Sequence, residues 1–234
     1  MSLPSTSPTI LIVAAGRGLG HALAEQFHLR GWHVIGTVRP GSGHTSLHDL
    51  AENGGVEIET LDIGEPGQIA ALRRRLDGRV LDALFVNAGI TTEDQDVTPG
   101  EVTDDEFTAV MLTNALNPMR VIEAFQDLAT PTSLLGVMSS GQGSIANNER
   151  GRREIYRSSK AALNQLMRSY AARQQEPKRT LLLTAPGWIR TDLGGPDAPL
   201  AIEDSIPRLV TVMLDQLGTP GLRFLDYQGQ VVPW

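Results

Sequence analysis

The segment TILIVAAGRGLGHALAEQFHLR, residues 9–30, decides the fold of this protein. The apolar run from Thr9 to Ala14 is typical of a short buried strand, and the glycine-rich stretch Gly16-Arg17-Gly18-Leu19-Gly20 follows it directly. From Leu19 to Arg30 the apolar residues recur at helical spacing, and Gly31 stands where a left-handed helix cap is expected. The segment therefore predicts a strand that passes through a glycine turn into a helix, the first unit of a parallel sheet.

Short apolar runs alternate with longer segments of helical period along the rest of the chain. This alternation predicts a three-layer α/β fold, a doubly wound Rossmann arrangement with helices on both faces of a mostly parallel, seven-stranded sheet. The predicted strands are Thr9–Ala14, His33–Val38, Val56–Leu61, Leu81–Val86, Ser133–Met138, Thr180–Thr184 and Arg223–Phe224. The predicted helices are Leu19–Arg30, Leu47–Asn53, Pro66–Leu76, Asp104–Asp127, Ile155–Arg173 and Ile202–Leu217. Since no repeat or linker interrupts this pattern, one domain is predicted for residues 1–234.

Composition excludes several classes of function. The net charge of −7 argues against a nucleic-acid groove, which needs a basic stripe, and the run Arg73-Arg74-Arg75 is more typical of a solvated helix face. The absence of cysteine excludes disulfides and fits a reducing compartment. Met1–Pro8 lacks the basic start of a signal peptide and Ile10–Ala15 is too short to span a membrane, so we expect a cytoplasmic protein with no membrane contact.

The glycine turn points to a nucleotide. Glycines between a strand and a helix let the backbone approach a pyrophosphate at the helix N-terminus, although a tight turn without a ligand has the same sequence. The second predicted strand ends in Val38-Arg39, where a dinucleotide without a ribose phosphate is usually met by an acidic residue. Arg39 and Arg17 together favour a clamp on the 2′-phosphate of NADP(H); the alternative is that both arginines are solvated.

A second pattern predicts a residue for acid–base catalysis. Tyr156-Arg157-Ser158-Ser159-Lys160 places one of the chain's three tyrosines four residues before a lysine. On a helix such residues share a face, so the ammonium is expected to lower the pKa of the phenol toward the working pH and to make Tyr156 a general acid or base. The alternative is an ordinary surface pair on a helix.

These residues together resemble the short-chain dehydrogenase/reductase family over nearly the whole chain. The matching features, in chain order, are the glycine turn, Asp62, Asn87-Ala88-Gly89, Asn114, Ser140, Tyr156 with Lys160, and Pro186-Gly187 through Thr191. Within the family, the stretches from Ser139 to Ile145, Tyr156 to Asn164, Gly187 to Pro196 and Asp226 to Trp234 are similar to the C-factor and sniffer-like carbonyl reductases.

The resemblance implies further contacts with the dinucleotide. Asp62 would bind the adenine with Ile63 offering its backbone, and Asn87-Ala88-Gly89 would pass beside the adenosine ribose. A turn cap at Asp62 and a structural role for the Asn87-Ala88-Gly89 stretch are the alternatives. The loop over the nicotinamide would contain Pro186, Gly187, Ile189 and Thr191, whereas Trp188 would either line a substrate pocket or pack in the core.

The resemblance also implies a reaction. Tyr156 would donate a proton to a carbonyl oxygen that Ser140 orients, Lys160 would hold the nicotinamide ribose, and the backbone of Asn114 would hold a water near Lys160. Taken alone, Ser140 is more typical of a turn residue, and Asn114 could simply satisfy neighbouring backbone groups.

Two departures from the family pattern bear on the site. The turn begins Val13-Ala14 where the family usually has Thr-Gly, so Ala14 is expected to fit only with a negative φ. The segment from Ser140 to Tyr156 is longer than usual, as in C-factor-like members, and implies a longer loop beside the site.

The leading expectation is an NADP-dependent oxidoreductase of a small carbonyl or alcohol substrate. Other reactions on the same fold, such as dehydration or epimerisation, and a nucleotide-binding signalling module are the alternatives. Leu193–Ile206 is expected to form a short lid, and the helices Asp104–Asp127 and Ile155–Arg173 to pair in a homo-oligomer. No metal site is predicted, because His44 and His48 lack a third ligand and Glu93, Asp94 and Asp96 are typical of a solvated loop.

Overall fold

Seven parallel strands form one sheet in the order β3-β2-β1-β4-β5-β6-β7. The computed structural model describes residues 7–52, 54–174 and 179–234. The strands are β1 Thr9–Val13, β2 His33–Val38, β3 Val56–Thr60, β4 Leu81–Val86, β5 Ala129–Met138, β6 Thr180–Ala185 and β7 Gly221–Asp226. Residues 1–6 of the N-terminal segment and Asn53, the predicted end of the second helix, lie outside the described residues.

Helices cover both faces of this sheet, as the alternating sequence pattern predicts. They are α1 Gly18–Leu29, α2 Ser46–Ala51, α3 Pro66–Arg75, α4 Asp104–Met111, α5 Asn117–Phe125, α6 Glu154–Arg173 and α7 Ile202–Gln216. A five-residue π-helical segment, Leu112–Leu116, joins α4 to α5, and a short 3₁₀ turn, Gly141–Gly143, follows β5. The doubly wound Rossmann fold predicted from the sequence is confirmed.

Alternating residues of β1 divide the core into two layers. Leu11 and Val13 pack with α3, α5 and α6, whereas Ile10 and Ile12 pack with α1 and α7 on the other face. This two-sided burial explains why β1 is wholly apolar after Thr9, since neither face of a central parallel strand meets solvent. The strand order reverses between β1 and β4, and their carboxyl ends therefore flank the crevice where doubly wound sheets bind ligands.

Most predicted bounds agree to within one or two residues, and three elements differ in a more informative way. The fifth strand begins at Ala129 rather than Ser133, because Leu81 pairs with Ala129 ahead of an irregularity in the register, after which Ala83 pairs with Leu134. Within this irregularity Ser133 Oγ accepts from the Thr130 amide and donates to the Leu81 carbonyl. The last strand has six residues rather than two. The long helix predicted from Asp104 is broken by the π-helical segment.

The predicted helix ends are present. The Thr103 side chain accepts a hydrogen bond from the Glu106 amide at 3.2 Å, as in one half of a capping box, and Gly31 has a φ of +79°. Among the described residues, none of the helices is long and apolar enough to cross a membrane.

Candidate active site

The glycine turn opens α1 as a helix start without a side-chain cap. Arg17 is the N-cap residue, and its side chain makes no capping hydrogen bond to the first-turn amides. Gly20 lies so close to the preceding strand that a Cβ there would stand 2.0 Å from the Ala14 carbonyl oxygen. The sequence thus uses glycine to bring the first turn of α1 against the end of β1, with amides suited to an anion.

Ala14 departs from the expectation made for it. Its φ is +65°, in the left-handed region, whereas the sequence led us to expect a negative value. Neighbouring elements fix this strained conformation: the Ala14 amide donates to Thr37 Oγ1 at 3.0 Å, and its carbonyl accepts from Asn87 Nδ2 at 3.2 Å. Bonds from Thr37 on β2 and from Asn87 after β4 therefore hold an alanine in the backbone conformation that glycine usually supplies.

The two arginines predicted to bind a phosphate have different surroundings. Arg17 forms an ion pair with Asp192, a residue of the loop after β6, and both side chains are exposed. Arg39 is exposed at the end of β2, and within the described part of the chain its side chain makes no hydrogen bond or ion pair. An incoming phosphate would compete with Asp192 for Arg17, whereas Arg39 is available to it.

The residues predicted around the adenosine have structural partners. Asp62 Oδ1 accepts from the Gly64 amide at 2.8 Å. The alternative role considered for Asp62, the capping of a turn, is therefore present. The Asn87 side chain donates to the Ala14 carbonyl, Ala88 packs against the core, and Ile63 is buried. Their contacts with adenine and ribose remain predictions.

Lys160 and Tyr156 lie on one face of α6, as their spacing predicts. Lys160 is 2% exposed, and its Nζ donates to the Met138 carbonyl at 2.9 Å and lies 5.8 Å from the centre of the Tyr156 ring. Ser140 follows β5, and its Oγ accepts from the Gln142 amide at 3.1 Å. The structure thus brings Ser140, Tyr156 and Lys160 together at the carboxyl end of β5.

Burial sets the pKa values of this group. It raises the pKa of Tyr156 to about 12, although a hydrogen bond with Ser140 and the charge of Arg153 act in the opposite direction. Burial also lowers the pKa of Lys160 to about 8. The prediction that Lys160 lowers the phenol's pKa is therefore wrong for this arrangement, because loss of solvent outweighs the nearby charges and the ammonium is directed at a backbone carbonyl.

Asn114 is fully buried in the π-helical segment. Its side chain exchanges two hydrogen bonds with the Ile90 backbone, at 2.8 and 2.7 Å, and donates to Ser159 Oγ at 2.9 Å. The structural role considered for Asn114 is therefore present, and its backbone contact with a water stays a prediction. A Cβ on Gly89 would stand 3.3 Å from Lys160 Nζ, which shows how tightly this corner is packed.

The loop after β6 folds over the same edge of the sheet. Ile189 is buried and pairs with Leu200, Thr191 Oγ1 accepts from the Gly194 amide at 3.0 Å, and Ser205 Oγ donates to the Pro186 carbonyl. Gly187 has a φ of +91°. The last five residues of the predicted lid, residues 202–206, belong to α7, so the loop itself ends earlier than expected.

Trp188 belongs to this loop rather than to the core. Its side chain is about half exposed, and its indole nitrogen donates to the Gly194 carbonyl at 2.7 Å. The alternative that Trp188 packs in the core is therefore excluded.

Polar atoms without a partner lie at this edge of the sheet. Three buried side-chain oxygens lack a hydrogen-bond partner among the described residues, and all three lie in the loops at this edge: Thr91 Oγ1, Gln95 Oε1 and Gln142 Oε1. Together with the uncapped start of α1, they mark an edge built to meet a polar ligand. No cluster of three potential metal ligands occurs in residues 7–52, 54–174 and 179–234; His48 instead bonds to Thr45, and His44 to Asp49.

Sequence reasoning missed several residues that hold this site. Thr37 supports Ala14, Ser159 supports Asn114, and Asn164 accepts from Ser139 and donates to the Gly143 carbonyl. Each is a buried polar residue. The sequence signal that could have identified them is a polar residue at a position where the pattern calls for an apolar one. Arg153, which acts on the Tyr156 phenol, gives no such signal.

Comparisons with known proteins agree with this geometry. The family model described as enoyl-(acyl carrier protein) reductase matches residues 13–206. A curated relative, C-signal of Myxococcus xanthus, is 36% identical over 66% of this chain and 93% of its own length.

Two solved structures extend the similarity to almost the whole chain. A Burkholderia multivorans protein described as a short-chain dehydrogenase/reductase, with bound NADP, is 57% identical with a TM-score of 0.96 and covers 98% of this chain and 100% of its own. A carbonyl reductase from Pseudomonas aeruginosa in complex with NADP is 35% identical, with a TM-score of 0.90 and the same coverage. The chain therefore belongs to the short-chain dehydrogenase/reductase family, with C-signal and carbonyl reductases among its relatives.

Proposed function

We propose that this protein is an NADP-dependent oxidoreductase that reduces a small carbonyl compound, or oxidises the corresponding alcohol. The observation that carries the proposal is the convergence of Ser140, Tyr156 and Lys160 at the carboxyl edge of the sheet, the edge at which α1 begins without a side-chain cap. The NADP bound by the two similar structures supports the choice of cofactor, as does Arg39 at the end of β2. Family membership supports oxidoreductase chemistry.

The dinucleotide would be held along the carboxyl edge of the sheet. Gly16, Gly18, Leu19 and Gly20 would present the first turn of α1 to its pyrophosphate. Arg39 and Arg17 would meet the 2′-phosphate, and Ile189 and Thr191 would flank the nicotinamide. When bound, the cofactor supplies the hydride.

The chain's own residues would handle the proton. Because the pKa of Tyr156 is raised to about 12, its phenol keeps its proton at neutral pH and can donate it to the carbonyl oxygen during reduction. Ser140, whose Oγ lies at the carboxyl end of β5 and accepts from the Gln142 amide, would orient the same oxygen. Lys160 would supply a positive charge below a pH of about 8, where its ammonium is protonated.

A signalling module is the second candidate, and the 36% identity to C-signal favours it. Such a module could bind the dinucleotide without turning it over. The buried arrangement of Tyr156 and Lys160 supports catalysis instead, because burying an ammonium costs free energy that a binding module need not spend.

The test is NADPH oxidation over a panel of aldehydes, ketones and phenanthrenequinone, together with NADPH affinity measured by fluorescence. Tyr156→Phe should lower kcat by at least about 100-fold, because it removes the proton donor, and leave the Kd for NADPH within about twofold. Tyr170→Phe is the matched control. It removes a phenol hydroxyl from the same helix, but that hydroxyl donates to Gln126. NADPH binding without oxidation of any panel member would favour the signalling module, and full activity in Tyr156→Phe would refute the mechanism.

A further inference from the structure

A buried asparagine on α6 holds the chain on both sides of Ser140. Asn164 is 4% exposed; its Oδ1 accepts from Ser139 Oγ at 2.6 Å, and its Nδ2 donates to the Gly143 carbonyl at 3.1 Å. Ser139 directly precedes Ser140, and Gly143 ends the 3₁₀ turn that follows it. The Asn164 amide therefore fastens the segment that carries Ser140 to α6 at both of its ends.

The same helix carries the candidate proton donor. Tyr156, Lys160 and Asn164 are spaced four residues apart on α6, so their side chains follow one another along one side of the helix, and all three are buried. Because the phenol and the Asn164 amide belong to one helix, the bonds of Asn164 set the position of Ser140 relative to Tyr156.

The turn after Ser140 packs against α6 as closely as a glycine allows. A Cβ on Gly143 would stand 2.9 Å from Lys160 Cβ and 3.0 Å from Asn164 Nδ2, which is closer than side chains pack. This approach brings the Gly143 carbonyl within reach of the Asn164 amide. Close packing and two hydrogen bonds thus act together to hold the turn on the helix.

The turn also determines how the Ser140 hydroxyl can act. Ser140 is its N-cap residue: the Oγ accepts from the Gln142 amide at 3.1 Å, and the carbonyl accepts from the Gly143 amide at 2.9 Å. A hydroxyl has one proton and two acceptor lone pairs, so the bond from Gln142 leaves the proton free for another oxygen. An anchored turn therefore keeps Ser140 a donor, the role proposed for it toward the substrate carbonyl.

We propose that Asn164 is a positioning residue for the carbonyl reaction and acts through Ser140. This inference rests on the proposed function, because the orientation of Ser140 affects the rate only if Ser140 binds the reacting oxygen. A displacement of about 1 Å near the reacting atoms can cost about 100-fold in rate. Loss of the anchor is therefore expected to lower kcat although every group that contacts the substrate is still present.

A double-mutant cycle on kcat separates positioning from a merely structural role. With NADPH and an aldehyde that wild type reduces, Asn164→Ala should lower kcat at least about 10-fold, but by less than about twofold when Ser140 is already alanine. The Kd for NADPH should stay within about twofold throughout. Asn117→Ala is the matched control and should leave kcat within about twofold, because it removes another buried asparagine, whose Oδ1 accepts from Arg120.

A second variant covers the case in which Asn164→Ala does not fold, which urea unfolding would show. Gly143→Ala keeps the Asn164 side chain, and its added methyl group pushes the turn away from α6. It should therefore lower kcat in the wild-type background and have less than about a twofold effect in the Ser140→Ala background.

Amide hydrogen exchange tests the anchor without turnover. The amides of Gln142, Gly143 and Ser144 are each bonded within the turn. In Asn164→Ala they should exchange at least about 10-fold faster than in wild type, because the turn loses its bond to α6. The amides of β2, which β1 and β4 separate from β5, serve as the internal control and should not change.

Three results would overturn the inference: an unchanged kcat in Asn164→Ala, an equal fold loss in both backgrounds, or unchanged exchange in the turn. A wild type that oxidises no NADPH would refute the proposed function and, with it, the role of Asn164 in the reaction, even where exchange shows that Asn164 holds the turn. The inference on Asn164 can fail in each of the first three ways while the proposed function stands.

Discussion

At the scale of single residues, helical spacing fixes which side chains share a face, whereas tertiary burial fixes their chemistry. The pairing of Tyr156 with Lys160 follows from four positions on one helix, and the structure confirms it. The direction of the Tyr156 pKa shift could not be predicted, because burial arises from the packing of α6 against the end of β5. Arg153 escaped the sequence analysis for the same reason, since its left-handed φ is a tertiary feature.

Burial of Lys160 predicts a pH-dependent cost to stability. Its pKa falls from 10.5 to about 8, so between these values the unfolded chain holds a proton that the folded protein has released. The cost is complete below pH 8 and is relieved as the pH rises through this window, so stability rises with pH there. Between pH 7 and 10, we expect wild type to gain about 2 kcal/mol of unfolding free energy relative to Lys160→Met.

Urea unfolding at both pH values measures this gain. Arg74→Met, which removes an exposed charge that does not titrate in the range, should show no comparable change relative to wild type. A constant difference between wild type and Lys160→Met from pH 7 to 10 would contradict the assigned pKa. Lys160→Met should also lose NADPH-dependent turnover under the proposed mechanism.

At the scale of elements, the sequence locates strands and helices well and their irregularities poorly. The strand, glycine turn and helix of residues 9–30 are confirmed within one or two residues. The left-handed Ala14 was not predicted, because Thr37 on β2 and Asn87 after β4 impose it across the sheet. The π-helical segment was missed for a similar reason, since Asn114 is held there by bonds to Ile90 in the loop after β4.

The β1–α1 connection predicts opposite effects for two substitutions. Ala14→Gly should raise the free energy of unfolding by about 0.5–1 kcal/mol, because removal of the left-handed strain outweighs the added chain entropy. Thr37→Val should lower it by about 1–3 kcal/mol, because the half-buried Ala14 amide loses its acceptor, and should weaken NADPH binding through the distorted turn. Denaturant unfolding and fluorescence titration measure both effects, and a destabilised Ala14→Gly would show that the turn is not strained.

At the scale of the whole molecule, the sequence predicts the layers and the parallel sheet. In one helical layer four large apolar side chains are partly exposed. Phe107 on α4, Leu112 and Leu116 in the π-helical segment and Leu166 on α6 are each 37–41% exposed. These elements pack against one another, so their exposed apolar side chains lie on one helical layer. Such a surface suits the homo-oligomer predicted from the long helices.

We therefore expect a dimer or tetramer in sedimentation velocity. The double variant Phe107→Glu with Leu166→Glu should sediment as a monomer, because buried carboxylates would oppose association. Leu29→Glu, which places the same charge on another exposed leucine at the end of α1, is the control and should leave the assembly intact. A monomeric wild type, or a double variant that still associates, would refute this interface.

The most direct test of the central claim follows the hydride itself. NADPH deuterated at the donating nicotinamide carbon is incubated with the protein and an aldehyde that it reduces, and the product alcohol is analysed by mass spectrometry. The account predicts one deuterium on the carbinol carbon with wild type and at least about 100-fold slower formation of product with Tyr156→Phe, which should still bind NADPH. An alcohol without deuterium, or labelled alcohol formed at the wild-type rate by Tyr156→Phe, would contradict hydride transfer assisted by Tyr156.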